Sequence, residues 1–271
     1  MSDADLANAP APGDAPAPES RAFQADVARL LDLMVHSIYS ERDIFLRELI
    51  SNGADACEKL RYEAIAQPQL IADGEPFVIR VMLDKDAKKL TVSDNGIGMS
   101  RGDLDTALGT IASSGTKAFL DRIGAEAEAE SDKLIGQFGI GFYSAFMVAD
   151  QVRVETRRAG SDEAWLWVSD GKGSYDVSPL SLDQAPTRGT RVVLHLNEAS
   201  SEFLEPYRVE TIIKEHSGAV AVPIELVEKP GDEPHRVTDG AALWAKPKSD
   251  IKPEDYTEFY RSLAASSTSR S

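Results

Sequence analysis

Residues 94–99 read DNGIGM. They close the run KLTVSDN, residues 89–95, in which apolar and polar residues alternate. Such alternation marks a half-buried strand, and it puts Leu90, Val92 and Asp94 on one face. The apolar partners make that face the inward one, so Asp94 is an inward carboxylate, which is costly unless it is hydrogen-bonded. Two readings fit. DNG is a common turn signal, and the strand can simply end there. Alternatively, Asp94 accepts hydrogen bonds from a ligand donor such as an amino group, and Gly96 and Gly98 let backbone lie flat against a planar ligand.

The flanking sequence supplies the elements around that strand. PFVIRVMLD, residues 76–84, is a second strand-like run, joined to the first through the polar turn KDAK, so the pair reads as a hairpin. Further strands are expected at QVRVETRR (151–158), AWLWVSD (164–170), YDVSPL (175–180), TRVVLHLNE (190–198) and VPIELVEK (222–229), separated by turns rich in Gly or containing Pro. Helical spacing of apolar residues appears in FQADVARLLDLMVHSIY (23–39), from about Ser40 to Ala66, in FYSAFMVAD (142–150) and in EPYRVETIIKEHSGAV (205–220). Helices cluster early and strands late. That pattern predicts an α+β fold, a two-layer sandwich with a mostly antiparallel sheet and helices on one face.

Residues 1–20 are Ala, Pro and acid with little to bury, and read as a disordered tail, with order starting near Phe23. Residues 100–140 mix short helical pieces with Gly, Ser and an acidic stretch, which suggests a mobile flap. Lys229 to Asp239, charged and Pro-containing, reads as a linker.

Bulk composition narrows the function. The 271 residues carry a net charge of −16, so DNA, RNA and anionic lipid are poor default partners. The single cysteine, Cys57, excludes an internal disulfide and a multi-thiolate zinc site. No apolar run approaches membrane-spanning length, and no basic stretch followed by an apolar core marks a secretory signal. The cytoplasm is the simplest expected location.

The helix RELISNGADACEKL, residues 47–60, carries a polar stripe. At ~100° per residue, Glu48, Asn52, Asp55 and Lys59 share one side, and Leu46, Ile50, Gly53, Cys57 and Leu60 the other. The plain reading is a solvated face with an Asp55–Lys59 ion pair. Asn and an interior Gly argue against it, since glycine there costs about 1 kcal/mol relative to alanine, and Gly53 suggests a close approach. Cys57 reads as a small buried apolar residue. GQFGIGFYSAF, residues 136–146, sets Gly136, Gly139 and Gly141 before a helical run, where backbone N–H groups can meet phosphates. It is neither a Walker nor a dinucleotide fingerprint. SSGT, Ser113 to Thr116, adds hydroxyls and a glycine.

Taken in order, LRELISNGADACEKLRYEA, DNGIGM, LGTIASSGT, IGQFGIGFYSAFMVAD and RGTRVVLHL closely resemble the N-terminal ATP-binding domain of the 90-kilodalton heat-shock chaperone family, most like its bacterial form. The resemblance covers Phe23 to Lys229, and more weakly to Tyr260. The wider superfamily includes DNA gyrase B, MutL and sensor histidine kinases. The resemblance implies a nucleotide-binding domain over 21–229, a lid at about 100–141, and, over 230–271, a linker and the start of a middle domain. It implies ATP or ADP with Mg²⁺, and slow ATP hydrolysis. Asp94 would receive the adenine amino group, with Gly98, Met99, Leu108 and Thr190 near the base. Asn52 would hold Mg²⁺, and Glu48 would orient and deprotonate the attacking water. Gly139, Gly141 and Phe142 would meet the phosphates, and Asp55 and Ser114 would complete the contacts. Implied partners are unfolded or partly folded client proteins and, in the full-length form, a second copy, with this fragment mostly monomeric and no role for nucleic acid or membrane.

The chain departs from the family in having Ser113 where many relatives have lysine, and Ala107 where some have asparagine. It ends before the expected middle-domain arginine that contacts the γ-phosphate, so turnover is expected to be very slow. Three alternatives remain beside a chaperone ATPase. They are a MutL- or gyrase-like ATPase, a histidine kinase domain, and a nucleotide-binding domain without useful turnover.

Overall fold

The computed structural model describes residues 18–22, 42–109 and 141–240. The tail 1–17, the helix expected over 23–39, most of the expected flap with Ser113, Ser114, Gly136 and Gly139, and the stretch beyond 240 lie outside the described residues. One mixed sheet dominates. Its strands are β1 (Glu19–Ala22), β2 (Ile79–Asp84), β3 (Lys89–Asp94), β4 (Ala149–Arg157), β5 (Ala164–Ser169), β6 (Ser174–Leu180), β7 (Gly189–Leu196), β8 (Ile224–Val227) and β9 (His235–Thr238). Their spatial order is β1-β6-β5-β4-β7-β3-β2-β8-β9. Every neighbouring pair is antiparallel except β2 with β8. The expected α+β fold with a mostly antiparallel sheet is what forms.

The second layer is built around helix α1 (Ile44–Ala66). Its buried face includes Leu46, Ile50, Gly53, Cys57 and Leu60, the face read from the spacing, and is widened by Phe45 and Leu49. The helix stops where Gln67, at φ −133°, precedes Pro68, because the proline ring disfavours helical geometry in the residue before it. Asp43 does not cap α1 with its side chain; its carboxylate instead accepts from Arg208 on a later helix, Pro206–Ser217. Phe45 meets Phe203 edge-to-face at 5.0 Å. α1, the later helix and alternate residues of the strands, among them Val81, Leu90, Val152, Val154 and Leu194, share one core. Each such side chain fully removed from water contributes roughly 1.5–3 kcal/mol, so the helix cannot lift from the sheet cheaply.

The structure departs from the sequence reading in three places. Ordered chain appears ahead of Phe23, because Glu19–Ala22 pairs with β6 as an edge strand. The helical run near 142–150 is a 3₁₀ segment over Gly141–Met147, and Ala149 already belongs to β4. The stretch 229–239 contains β9, which pairs with β8 and extends the same sheet, so it is more than a linker.

Candidate functional site

Strand register brings the decisive residues together. Asp94 on β3 faces Thr190 on β7, and Thr190 faces Thr156 on β4. The three side chains therefore form a polar row across three adjacent strands on the face toward α1. Above that row is a cavity of 820 Å³. Apolar walls come from Val92, Val154, Val192, Leu49 and Ile97, and its mouth carries Glu48, Asn52, Asp55 and Lys59 from the polar stripe of α1.

Asp94 is the electrostatic centre. Burial pushes its carboxyl up to about 7, although the N–H of Gly96 and the backbone at Thr190 work in the opposite direction. Gly96 N–H donates to Asp94 Oδ1 at 2.9 Å. Among the described residues no cation pairs with Asp94. A carboxylate so placed has lone pairs left to accept from a ligand donor.

The turn after Asp94 is fastened on several sides. Asn95 accepts from Val78 N–H and donates to Pro76 O. Ile97 N–H donates to Ala56 O on α1, and Ala159 N–H to Ile97 O. Arg188, only 3% exposed, donates to Asn95 O at 2.8 Å and is ion-paired with Asp73. The glycines serve this fastening. A Cβ on Gly96 would stand 2.5 Å from the Ala56 carbonyl carbon, and one on Gly98, at φ +65°, would collide with Arg157 O. The closeness that demands glycine is thus to protein backbone rather than to a planar ligand. Gly53 answers the close approach expected of it: its position for a Cβ lies 3.3 Å from Asp94 Cβ, so α1 rests directly on the end of β3.

Ten of the residues singled out from the sequence line this one cavity: Glu48, Asn52, Asp55, Asp94, Gly98, Met99, Leu108, Gly141, Phe142 and Thr190. Ser114 and Gly139 lie outside the described residues. Asp55 and Lys59 do not form the ion pair that the plain reading predicts; Lys59 instead lies near Asp103. Asp103 sits in a capping box with Ser100 at the start of the short helix Arg101–Leu104. Arg158 reaches both Asp103 and Glu63, tying that rim to α1. Glu48 is next to Gly141, where a Cβ would overlap its carboxylate. Cys57 is fully buried, and desolvation followed by the nearby Asp94 charge raises its thiol to about 12, as suits an inert core residue.

No group of three or more His, Cys, Asp or Glu converges as a metal site among the described residues. The oxygen donors at the mouth, the Asn52 amide and the Glu48 and Asp55 carboxylates, suit a hard cation that keeps waters and takes its other oxygens from a ligand. No helix of the described residues is long and apolar enough to cross a membrane. Sequence reasoning overlooked Thr156. In VRVET it looks like an ordinary strand threonine, and only cross-strand register places it beneath Thr190.

Residues 39–218 match a family described as histidine kinase-, DNA gyrase B- and HSP90-like ATPase. Among curated relatives, the chain is 60% identical over 251 residues to a chaperone protein HtpG of Mesorhizobium japonicum, covering 93% of this chain and 40% of that protein. It is 61% identical to the HtpG of Azorhizobium caulinodans, with the same coverage. It is 50% identical to that of Rhodospirillum rubrum, covering 91% of this chain and 39% of the relative. The chain spans about 40% of the length of these relatives.

Proposed function

Because the chain belongs to the histidine kinase-, DNA gyrase B- and HSP90-like ATPase family, we propose that its cavity binds ATP and ADP with Mg²⁺, and that this domain drives a protein-folding chaperone acting on unfolded or partly folded client proteins. The observation that carries the reading is Asp94: a half-buried carboxylate raised to about 7, without a cationic partner among the described residues, on the floor of an 820 Å³ cavity. An exocyclic amino group supplies a further donor to it. Gly98, Met99, Leu108 and Thr190 surround the base.

At the mouth, Asn52 offers a side-chain oxygen to Mg²⁺, which when bound neutralises charge on the phosphates. Glu48, one turn earlier on α1, orients a water and takes its proton. Gly141 and Phe142, with Gly139, turn backbone N–H groups toward the phosphates, and Asp55 and Ser114 add polar contacts. The segment between Ser100 and Gly141 closes over bound nucleotide. The reading extends to a cytoplasmic stress-response protein that works as a homodimer at full length.

Titration calorimetry with ADP and Mg²⁺ tests it. The expected result is saturable binding to the 271-residue chain that Asp94→Asn removes. Absence of binding by the unsubstituted chain at millimolar ADP would overturn it.

A further inference from the structure

Thr156 does not line the cavity, yet its hydroxyl contacts three groups that build the floor. It is wholly buried. Met99 N–H donates to Thr156 Oγ1 at 2.9 Å. Gly189 O lies 3.1 Å away and can only accept. Thr190 Oγ1 lies 3.0 Å away and can do either. A hydroxyl has one proton and two lone pairs. One arrangement satisfies every partner: Thr156 donates to Gly189 O, and accepts from both Met99 N–H and the Thr190 hydroxyl. The alternative, donation to Thr190, leaves the 3.1 Å contact with Gly189 O as two opposed lone pairs in a buried site, which is repulsive.

The consequence lies at Thr190. Its proton is committed inward to Thr156, so it presents only lone pairs to the cavity. Its cross-strand neighbour Asp94, when ionised, is also only an acceptor. Directly opposed side chains in an antiparallel pair stand roughly 5 Å apart at Cβ. The floor is therefore a pair of adjacent acceptors, matched to a group with two N–H hydrogens and mismatched to a carbonyl oxygen.

We propose that Thr156 is a positioning residue for ligand selection: by fixing the direction of the Thr190 hydroxyl, it makes the site discriminate a 6-amino from a 6-oxo purine nucleotide. The proposal rests on the nucleotide-binding reading above. Removing the Thr156 hydroxyl frees the Thr190 proton to turn outward and donate to a carbonyl.

The test compares ADP with inosine diphosphate, which differ in that 6-substituent and in the proton carried by the adjacent N1, by calorimetry on the same chain. Thr156→Val should lower the ADP-to-IDP affinity ratio by roughly tenfold, about the worth of one hydrogen bond, chiefly through tighter IDP binding. Thr156→Ser keeps the hydroxyl and should restore the ratio, which loss of packing alone would not explain. Thr190→Val is the second arm and does not depend on Thr156→Val folding: it should weaken ADP while leaving IDP unchanged or stronger. A ratio unchanged in Thr156→Val, or equal weakening of both nucleotides in Thr190→Val, would overturn the proposal. If the unsubstituted chain binds neither nucleotide, the nucleotide reading fails and this inference falls with it; if it binds both equally, only the inference falls.

Discussion

The floor and the mouth of the cavity are built by different means. The floor is Asp94 and Thr190, backed by Thr156 on a third adjacent strand and held by register and by shared hydrogen bonds. The mouth is one face of α1, with Asn52 and Asp55 exposed to solvent, set against the start of a 3₁₀ segment. A shift of the floor requires strands to slip, which would turn every side chain to the other face. A change at the mouth needs only a side-chain rotation. Substitutions in the floor should therefore change stability as well as binding, in either direction, whereas substitutions at the mouth should separate binding from chemistry.

The harshest way to break that contrast is at the glycines beneath the floor. Gly98→Ala forces a side chain into a positive-φ position and against Arg157 O. A loss of about 3 kcal/mol or more is expected, read as a fall in denaturation midpoint. Stability within 1 kcal/mol of the unsubstituted chain would mean that the floor is softer than its contacts imply.

Next in size is Asp94→Asn. The amide oxygen can still accept from Gly96 N–H, but the site loses its charge and an acceptor. ADP affinity should drop by about a hundredfold or more, the upper range for a hydrogen bond to a charged group. The free protein should melt higher at pH 8, by roughly 2–4 °C, because a carboxylate that burial disfavours has gone. A substitution that both stabilises the empty protein and removes the ligand separates a functional group from a structural one.

A third effect follows from the same carboxyl. Its folded value of about 7 exceeds the ordinary 3.8. The native state thus holds the proton more tightly than the unfolded chain. This group's contribution to stability is fully present below 3.8 and is lost as pH rises toward 7, by at most about 1.4 kcal/mol per pH unit. Ligand binding runs the other way, since an amino donor needs the ionised form. ADP affinity should fall by up to about tenfold per unit as pH drops below 7, with proton release on binding. Calorimetry in buffers of different ionisation enthalpy measures that release, and Asp94→Asn should abolish it.

The smallest expected effect is at the mouth. Glu48→Ala should change ADP affinity by no more than about threefold, as is usual for a partly exposed group, while removing ATP turnover in a protein spanning the full length of the relatives. If it abolishes ADP binding instead, the assigned division between floor and mouth is wrong.

The same contrast explains what the sequence revealed. The face of α1 was readable because 3.6-residue spacing is local: Leu46, Ile50, Gly53, Cys57 and Leu60 all point inward. Asp94 was readable as inward because Leu90 and Val92 set the strand's phase. β1 was missed because ESRA carries no apolar alternation and is a strand only through its pairing with β6. β9 was missed for the same reason, lying in charged, Pro-containing sequence beside β8. The need for glycine at positions 96 and 98 was visible, but its cause, the approach of Ala56 and Arg157 backbone, comes from parts of the chain that sequence spacing does not relate. Thr156 was invisible for the most non-local reason, since its partners lie on β7 and just beyond β3.

The pairing of β3 with β7 also bears on how the chain acquires its site. Asp94 and Thr190 are strand partners, yet nearly a hundred residues of chain must be looped out before they meet. Contacts of such long sequence separation form slowly, because closure entropy is lost before the pairing rewards it. During synthesis, at about 5–20 residues per second, α1 and the β2–β3 hairpin leave the ribosome several seconds before β7. Until then Asp94 has β2 on one side but no β7 on the other, and nucleotide cannot template the nascent domain. Ligand can only reward a fold that the chain has already completed.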